Sequence, residues 1–304
     1  MFKPGQTDGW CAIALGANCF DIAHVRRPAG RQPQLVTLAS YRRSGDDLDA
    51  LKRLRRELGL GGRRCTTLLS ARDYRFVNTE LPALPESEIK NAVRWQIKDM
   101  VDLPVETATL DVLAIPGEIA GRARQGFVAI AGNDVVAERM ALFDQAKIPL
   151  GAIDVPEMAQ RNIAALFEEP NRGLAMLTFD DAGSMLTFTF QGELYYVRNS
   201  DASLTQLTTA EGDLRERMFE RVALEVQRAL DTFDRVNSHI PVTRLLLVPE
   251  VGEAFVGFMR NSLSIPVDVP DLTQVIDCTA VPELRQPSRQ AECLRVIGAA
   301  LREE

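Results

Sequence analysis

Residues Glu225–Glu250 read EVQRALDTFDRVNSHIPVTRLLLVPE: the end of a long amphipathic helix, a short loop, and a buried strand stopped at Pro249. From Met218 to Phe233 the apolar residues Met218, Phe219, Val222, Val226, Ala229, Leu230 and Phe233 recur at three- and four-residue steps, the stripe of a helix lying on a core. The opposite face carries Arg217, Glu220, Arg221, Arg228 and Asp231, with Asp231 one turn before Arg235 and placed to pair with it. Leu245, Leu246, Leu247 and Val248 form an unbroken apolar run, which predicts a strand inside a sheet.

Working outward, the same plan occurs twice. Trp10–Leu15 and Cys19–Val25 are short strands around the turn Gly16-Ala17-Asn18, and Leu35–Ala39 continues that sheet. Asp46–Leu58 is a helix stopped by Gly59, and Arg64–Leu69 is a further strand. In the second half Leu174–Phe179 and Met185–Phe190 flank DDAGS, Glu193–Val197 follows Gly192, and the long helix and the Leu245 strand come next. Between the halves lie a strand at Gly126–Ala131, a helix through about Ala146, a strand at Leu150–Val155 and a helix at Pro156–Phe167. A proline-bracketed stretch, Glu80–Pro116, carries its own helix over about Glu86–Met100, with Ile89, Ala92, Val93, Ile97 and Met100 as its buried stripe. Trp95 falls on the polar side with Asn91 and Asp99; it either meets a partner or packs between its own subdomain and the first domain. Thr109–Ile115 pairs with this small unit, and Arg289–Arg302 is a closing helix containing Gly298-Ala299-Ala300.

A chain of 304 residues is long for one core and predicts two domains. Its 25% charged and 46% hydrophobic residues are those of a soluble globular protein, and the net charge of −7 argues against nucleic-acid or anionic-membrane binding. No apolar run approaches spanning length, and no signal-peptide pattern is present. Cys11, Cys19, Cys65, Cys278 and Cys293 are odd in number with no CxxC pair, so they read as reduced thiols and not as a disulfide frame or zinc site. His24 and His239 are too far apart in sequence to argue a catalytic or metal set. Gly61-Gly62 lacks a following GK[ST] and is no phosphate loop. Arg53, Arg55, Arg56, Arg63 and Arg64 read as a solvated basic helix face, with an acidic dock or lipid surface as the alternative.

EVQRALDTF…RLLLV, RWQIKDMVDLP in the insert, GAIDVPEMAQRN (Gly151–Asn162) and LRVIGAAL (Leu294–Leu301) together resemble the PilM family of type IV pilus biogenesis proteins, the MshI branch in particular. The resemblance implies an α/β, two-domain actin-like (duplicated ribonuclease H-like) fold with a small inserted α+β subdomain like that of FtsA. Residues 1–155 would form the first domain, with the insert over about 73–125. Residues 156–287 would form the second domain, and 288–304 a helix returning to the first. It further implies a cytoplasmic scaffold, peripheral at the inner membrane, that holds the N-terminal cytoplasmic tail of a bitopic PilN-type protein in a groove between insert and first domain. The assembly ATPase would be a further partner. The insert helix puts Trp95, Asn91, Gln96, Asp99 and Leu103 forward as contacts for the tail.

In such folds two hairpin turns give backbone N–H groups to nucleotide phosphates, an aspartate organises Mg²⁺, and a Gly-Gly turn receives adenosine. The first turn here keeps Gly16 and Asn18, but Ala14 stands at the aspartate position and Asp21 at the position of a lysine. In the second turn, which includes Gly183, the aspartate position is filled by Thr178 or, with a shifted register, by Asp180 or Asp181. Pro249-Glu250 replaces Gly-Gly, losing an N–H and fixing φ. The expectation is a degenerate cleft with no cofactor and no ATPase activity. The alternatives are an ATP-Mg-dependent conformational switch of the same machine, a GspL-like secretion component, or an FtsA-like filament former.

Overall fold

The computed structural model describes residues 9–117, 123–248 and 251–303. The chain divides into two compact units. One gathers the residues through Ile22 with Ala39–Pro156; the other gathers Ala23–Leu38 with the chain from Glu157 onward.

In the first unit β1 (Trp10–Leu15), β2 (Cys19–Arg26), β3 (Gln34–Arg42), β4 (Cys65–Leu68) and β8 (Leu150–Asp154) form a sheet in the order β3-β2-β1-β4-β8, its β2 and β3 running on into the second. β4 lies parallel to both β1 and β8. Helix α1 (Asp47–Leu58) begins at Asp46, whose side chain accepts the Asp49 N–H. It ends at Gly59 with φ 64°, a left-handed stop that glycine adopts without a steric penalty. Ala50, Leu51 and Leu54 bury this helix against Ile13, Phe20 and Ile22 of the sheet and Phe143 of α3 (Asn133–Gln145).

The insert differs from its expected extent. Tyr74–Glu80 forms β5, a strand that the reading of the sequence left out, and it pairs antiparallel with β7 (Gln125–Gly132). β6 (Ala108–Ala114) pairs with the other edge of β7, so the strand expected at Gly126–Ala131 is the centre of the inserted sheet and runs past the boundary at about 125. Helix α2 (Glu86–Gln96) covers one face through Ile89, Val93 and Ile97, which meet Val128 and Ile130. Met100, expected in that buried stripe, is exposed: α2 stops at Gln96 and a 3-10 turn over Lys98–Met100 rotates it off the core face.

The second unit repeats the strand plan. β9 (Gly173–Phe179), β10 (Ser184–Phe190), β11 (Glu193–Ser200), β12 (Val242–Leu247) and β13 (Val267–Asp268) run in the order β11-β10-β9-β12-β13. After the short helix α5 (Leu204–Thr209), helix α6 (Gly212–Val236) lies on this sheet by the stripe read from the sequence. Phe233 meets Phe188 edge-on at 4.8 Å and Phe219 meets Phe255 of α7 (Glu253–Ser262) at 4.8 Å. Among the described residues Asp231 and Arg235, expected to pair, form no ion pair. α4 (Pro156–Ala165) is pinned to the sheet by buried Gln160, whose amide N–H groups reach Met176 O and Thr187 Oγ1 at 2.9 Å, while its oxygen accepts Thr178 Oγ1 at 2.6 Å. The closing helix α8 (Pro287–Ala300) clusters with this unit. Its end meets the outer part of the β2–β3 hairpin, where Arg27 donates to Leu301 O at 2.6 Å.

Candidate functional site

Three places concern the expected site: a turn in each unit and a groove in the first. In the first turn the Gly16 N–H is already used, donating to Cys19 O at 2.9 Å. A Cβ on Gly16 would stand 2.9 Å from that oxygen, which is why glycine is needed there. Ala14 is half-buried and brings no carboxylate. The oxygens of Asp21 are both used within the chain, accepting the Cys19 thiol at 3.2 Å and the Ser40 hydroxyl. The side chain that sequence reasoning missed is Arg43. Its backbone N–H donates to Asn18 O at 2.8 Å, and its guanidinium reaches Gly16 O at 3.0 Å while gripping both oxygens of Asp47 at 2.8 and 2.5 Å. The cation at this turn is therefore neutralised within its own unit.

In the second turn the strand pairing has one register. Ser184 pairs with Phe179 and Met185 with Thr178, so the turn is Asp180–Gly183 and Thr178 is a buried strand residue bonded to Gln160. Asp180 Oδ1 accepts the N–H groups of both Ala182 (2.7 Å) and Gly183 (2.9 Å), and Oδ2 meets Arg295 of α8 at 2.5 Å. The donors that could cradle a phosphate thus hold the turn's own carboxylate. Asp181 accepts Thr205 Oγ1 at 2.7 Å. A Cβ on Gly183 would lie 2.1 Å from Ser200 O, so no side chain fits. The depression over this turn, lined by Thr178, Asp181, Leu204, Val248 and Arg295 among others, has a volume near 210 Å³, below the ~300 Å³ at which small-molecule pockets usually begin. Pro249 and Glu250, expected at the adenosine turn, lie outside the described residues.

The groove, about 460 Å³, opens where the inserted sheet meets the start of α3. Arg72–Arg75 form one wall, Leu103, Pro104 and Thr107 another, and Gly132–Val135 the third. Arg75 grips Asp102 through two hydrogen bonds of 2.6 and 2.8 Å, which holds the Asp102 carboxyl below its usual range. That contribution is present above the ordinary carboxylate pKa and is lost as pH falls through the lowered value. Arg139 of α3 has a side chain only 16% exposed. It lies 3.9 Å from Asp73 of the groove wall, its Nη1 has no hydrogen-bond partner among the described residues, and burial lowers its pKa.

No family model and no curated protein matches the chain. Among solved structures, the chain is similar to a PilM–PilN type IV pilus biogenesis complex (TM-score 0.74, 20% identity, covering 98% of this chain and 99% of that one). It is also similar to a Bacteroides thetaiotaomicron protein of unknown function described as having an actin-like ATPase fold (TM-score 0.51, 10% identity, covering 92% and 97%). The fold is actin-like.

Within that actin-like frame the sequence-selected residues separate. Gly16 and Asn18 share the first turn with Asp21 close by, and Asp180, Asp181 and Gly183 share the second. Of the residues put forward for partner contact, only Leu103 lines the groove. Trp95 is 57% exposed on α2 with Lys98 Nζ 5.7 Å from its ring, so it does not pack between subdomains of its unit. Asn91 and Asp99 are exposed as well. Gln96 serves as a strut, donating to Thr79 Oγ1 and Glu80 O at 2.8 Å.

The basic cluster is also dispersed: Arg55 donates to Lys147 O at 2.9 Å, and Arg64 stacks on Trp10 at 3.9 Å. Among the described residues no group of three metal-ligating side chains gathers, and no helix is long and apolar enough to cross a membrane. Among the described residues no cysteine forms a disulfide; the hydrogen bond to Cys11, and burial after it, push the Cys65 thiol up.

Proposed function

We propose that this chain is a PilM-type scaffold, of the MshI branch, in type IV pilus biogenesis. It would work in the cytoplasm, peripheral to the inner membrane, by holding the N-terminal tail of a bitopic PilN-type protein, with the assembly ATPase as a further contact. The observation that carries this reading is the groove between the inserted sheet and the start of α3. It has an apolar wall at Leu103 and Pro104, backbone at Gly132, and polar groups at Thr107 and Asn133, a mixture suited to an extended peptide. Similarity to a structure described as a PilM–PilN complex supports the choice of partner.

The nucleotide function is, in this reading, lost: no carboxylate stands at Ala14, Asp21 is committed to Cys19 and Ser40, and Asp180 fills its own turn. A GspL-like role in secretion is the second reading, since the same groove could take the tail of a different bitopic partner.

The test is a fluorescence-anisotropy titration of the full chain with a synthetic N-terminal tail of the PilN-type protein encoded beside it. Saturable binding is expected, weakened about tenfold or more by Leu103→Asp and by Thr107→Arg. Thr107 is exposed, so its replacement leaves the core intact. Trp95→Ala should change little. The reverse pattern, loss with Trp95→Ala and none with the groove variants, would move the tail to the exposed face of α2.

A further inference from the structure

Helix α6 uses only one of its faces for the core. Phe219, Val222, Val226, Ala229 and Phe233 are buried, yet on the far side a second stripe, of leucine and arginine with Asp231 as its single acid, repeats every seven residues. Leu214, Arg221, Arg228 and Arg235 form one row, and Arg217, Leu224 and Asp231 form the row three positions on. These two rows have the a and d spacing of a coiled-coil seam, sustained over three heptads and about 32 Å of helix. Every member is exposed, with Leu214 at 60% and Leu224 at 46%. Arg217, Arg228 and Arg235 form no ion pair among the described residues, and Arg221 meets only exposed Asp201 at 3.3 Å.

We infer that this ridge docks a helix of a partner protein that carries acidic residues at heptad spacing, with apolar positions to cover Leu214 and Leu224. Charge and shape select that occupant. A second copy of the chain is disfavoured, because parallel pairing sets Arg221, Arg228 and Arg235 against themselves. Antiparallel registers that keep the leucines in the seam place Arg217 against Arg221, Arg228 or Arg235. An anionic bilayer is disfavoured because Glu216, Glu220 and Asp234 flank the ridge on one side. A flat surface would press all three acids against lipid phosphates, whereas a partner helix meets Glu220 and Asp234 only as flanking g positions, which it can face with basic or neutral residues while its acids lie opposite the arginines. The net charge of −7 adds to that repulsion. This inference is independent of the tail groove, which lies in the first unit.

The probe is a labelled helical peptide of about 21 residues, with glutamate opposite the arginines and leucine opposite Leu214 and Leu224. Its anisotropy is measured against the full chain at low and physiological salt. Saturable binding is expected, reduced about tenfold or more in Arg221→Glu/Arg228→Glu and absent for a peptide of the same composition with the heptads scrambled. Both arginines are exposed, so an unchanged thermal midpoint certifies the variant's fold. Equal binding of the scrambled peptide would overturn the inference, as would an unmoved affinity in the variant. Capture by phosphatidylserine vesicles without peptide binding would replace the partner helix by lipid. A dimer in sedimentation that the same reversals dissolve would replace it by a second copy.

Discussion

Gly298→Val is expected to destabilise the protein by about 3 kcal/mol or more, read as a lower midpoint in chemical denaturation with an unchanged slope. The cause is backbone proximity. A Cβ on Gly298 would stand 2.2 Å from Ala159 O and 2.7 Å from its carbon, atoms of α4 that cannot rotate aside as a side chain would. The two helices are also tied there by Asn162 Nδ2, which donates to Gly298 O at 2.9 Å, so pushing them apart costs a buried hydrogen bond as well as packing. Gly257→Ala, on α7 with nothing within 4 Å of the new methyl, is the control. It should stabilise by about 0.5–1 kcal/mol through helix propensity. Equal midpoints for Gly298→Val and the native chain would mean that α8 does not approach α4 in this way. The consequence reaches the second turn, since α8 also carries Arg295, the partner of Asp180.

Much of this architecture is legible in the sequence, because its elements announce themselves locally. The stripe of α6, the Gly59 stop of α1, the Leu245 strand and the small-residue run at Gly298 are each a pattern within one segment, and each lies where the pattern put it. What escaped were arrangements made by distant residues. Tyr74–Glu80 lacks a clean alternation, with Arg75, Phe76 and Val77 all half-buried, and it becomes a strand by pairing with β7 some fifty residues on. The same pairing moves Gly126–Ala131 into the insert. For the candidate site, the sequence showed which carboxylates and glycines sit near the turns but not which way they face. Asp21, read as a charge opposed to phosphate, also accepts from Ser40 and Cys19, while Arg43 reaches the same turn from the end of β3 with no local motif to mark it. Trp95 was legible as a large aromatic on a polar face, and it is exposed there. The groove itself combines three separate segments and has no signature in any one of them.

Asp180→Ala carries the other large effect, and it tests the reading of the second turn. The carboxylate satisfies two backbone N–H groups and the Arg295 guanidinium together, so its removal leaves two donors and one cation without their acceptor. Both side chains are about one-third exposed and water replaces part of the loss, which sets the expected destabilisation at about 1–3 kcal/mol. Asp180→Asn separates the contributions: its amide oxygen can still accept from Ala182 and Gly183, but it no longer neutralises Arg295, so its cost should fall between that of alanine and that of the native residue. If the carboxylate stands where a phosphate would, the vacated turn of Asp180→Ala should take up an anion. Inorganic phosphate at fixed ionic strength would then raise that variant's thermal midpoint, while chloride would not. The native chain should show no midpoint shift with phosphate and no saturable heat with Mg-ATP, because its donors are already filled. Micromolar binding of Mg-ATP to the native chain would refute the plugged-turn reading and restore the nucleotide switch. An Asp180→Ala midpoint unmoved by phosphate would show that the turn is an ordinary strand connection whose N–H groups have no affinity for anions beyond their own side chain.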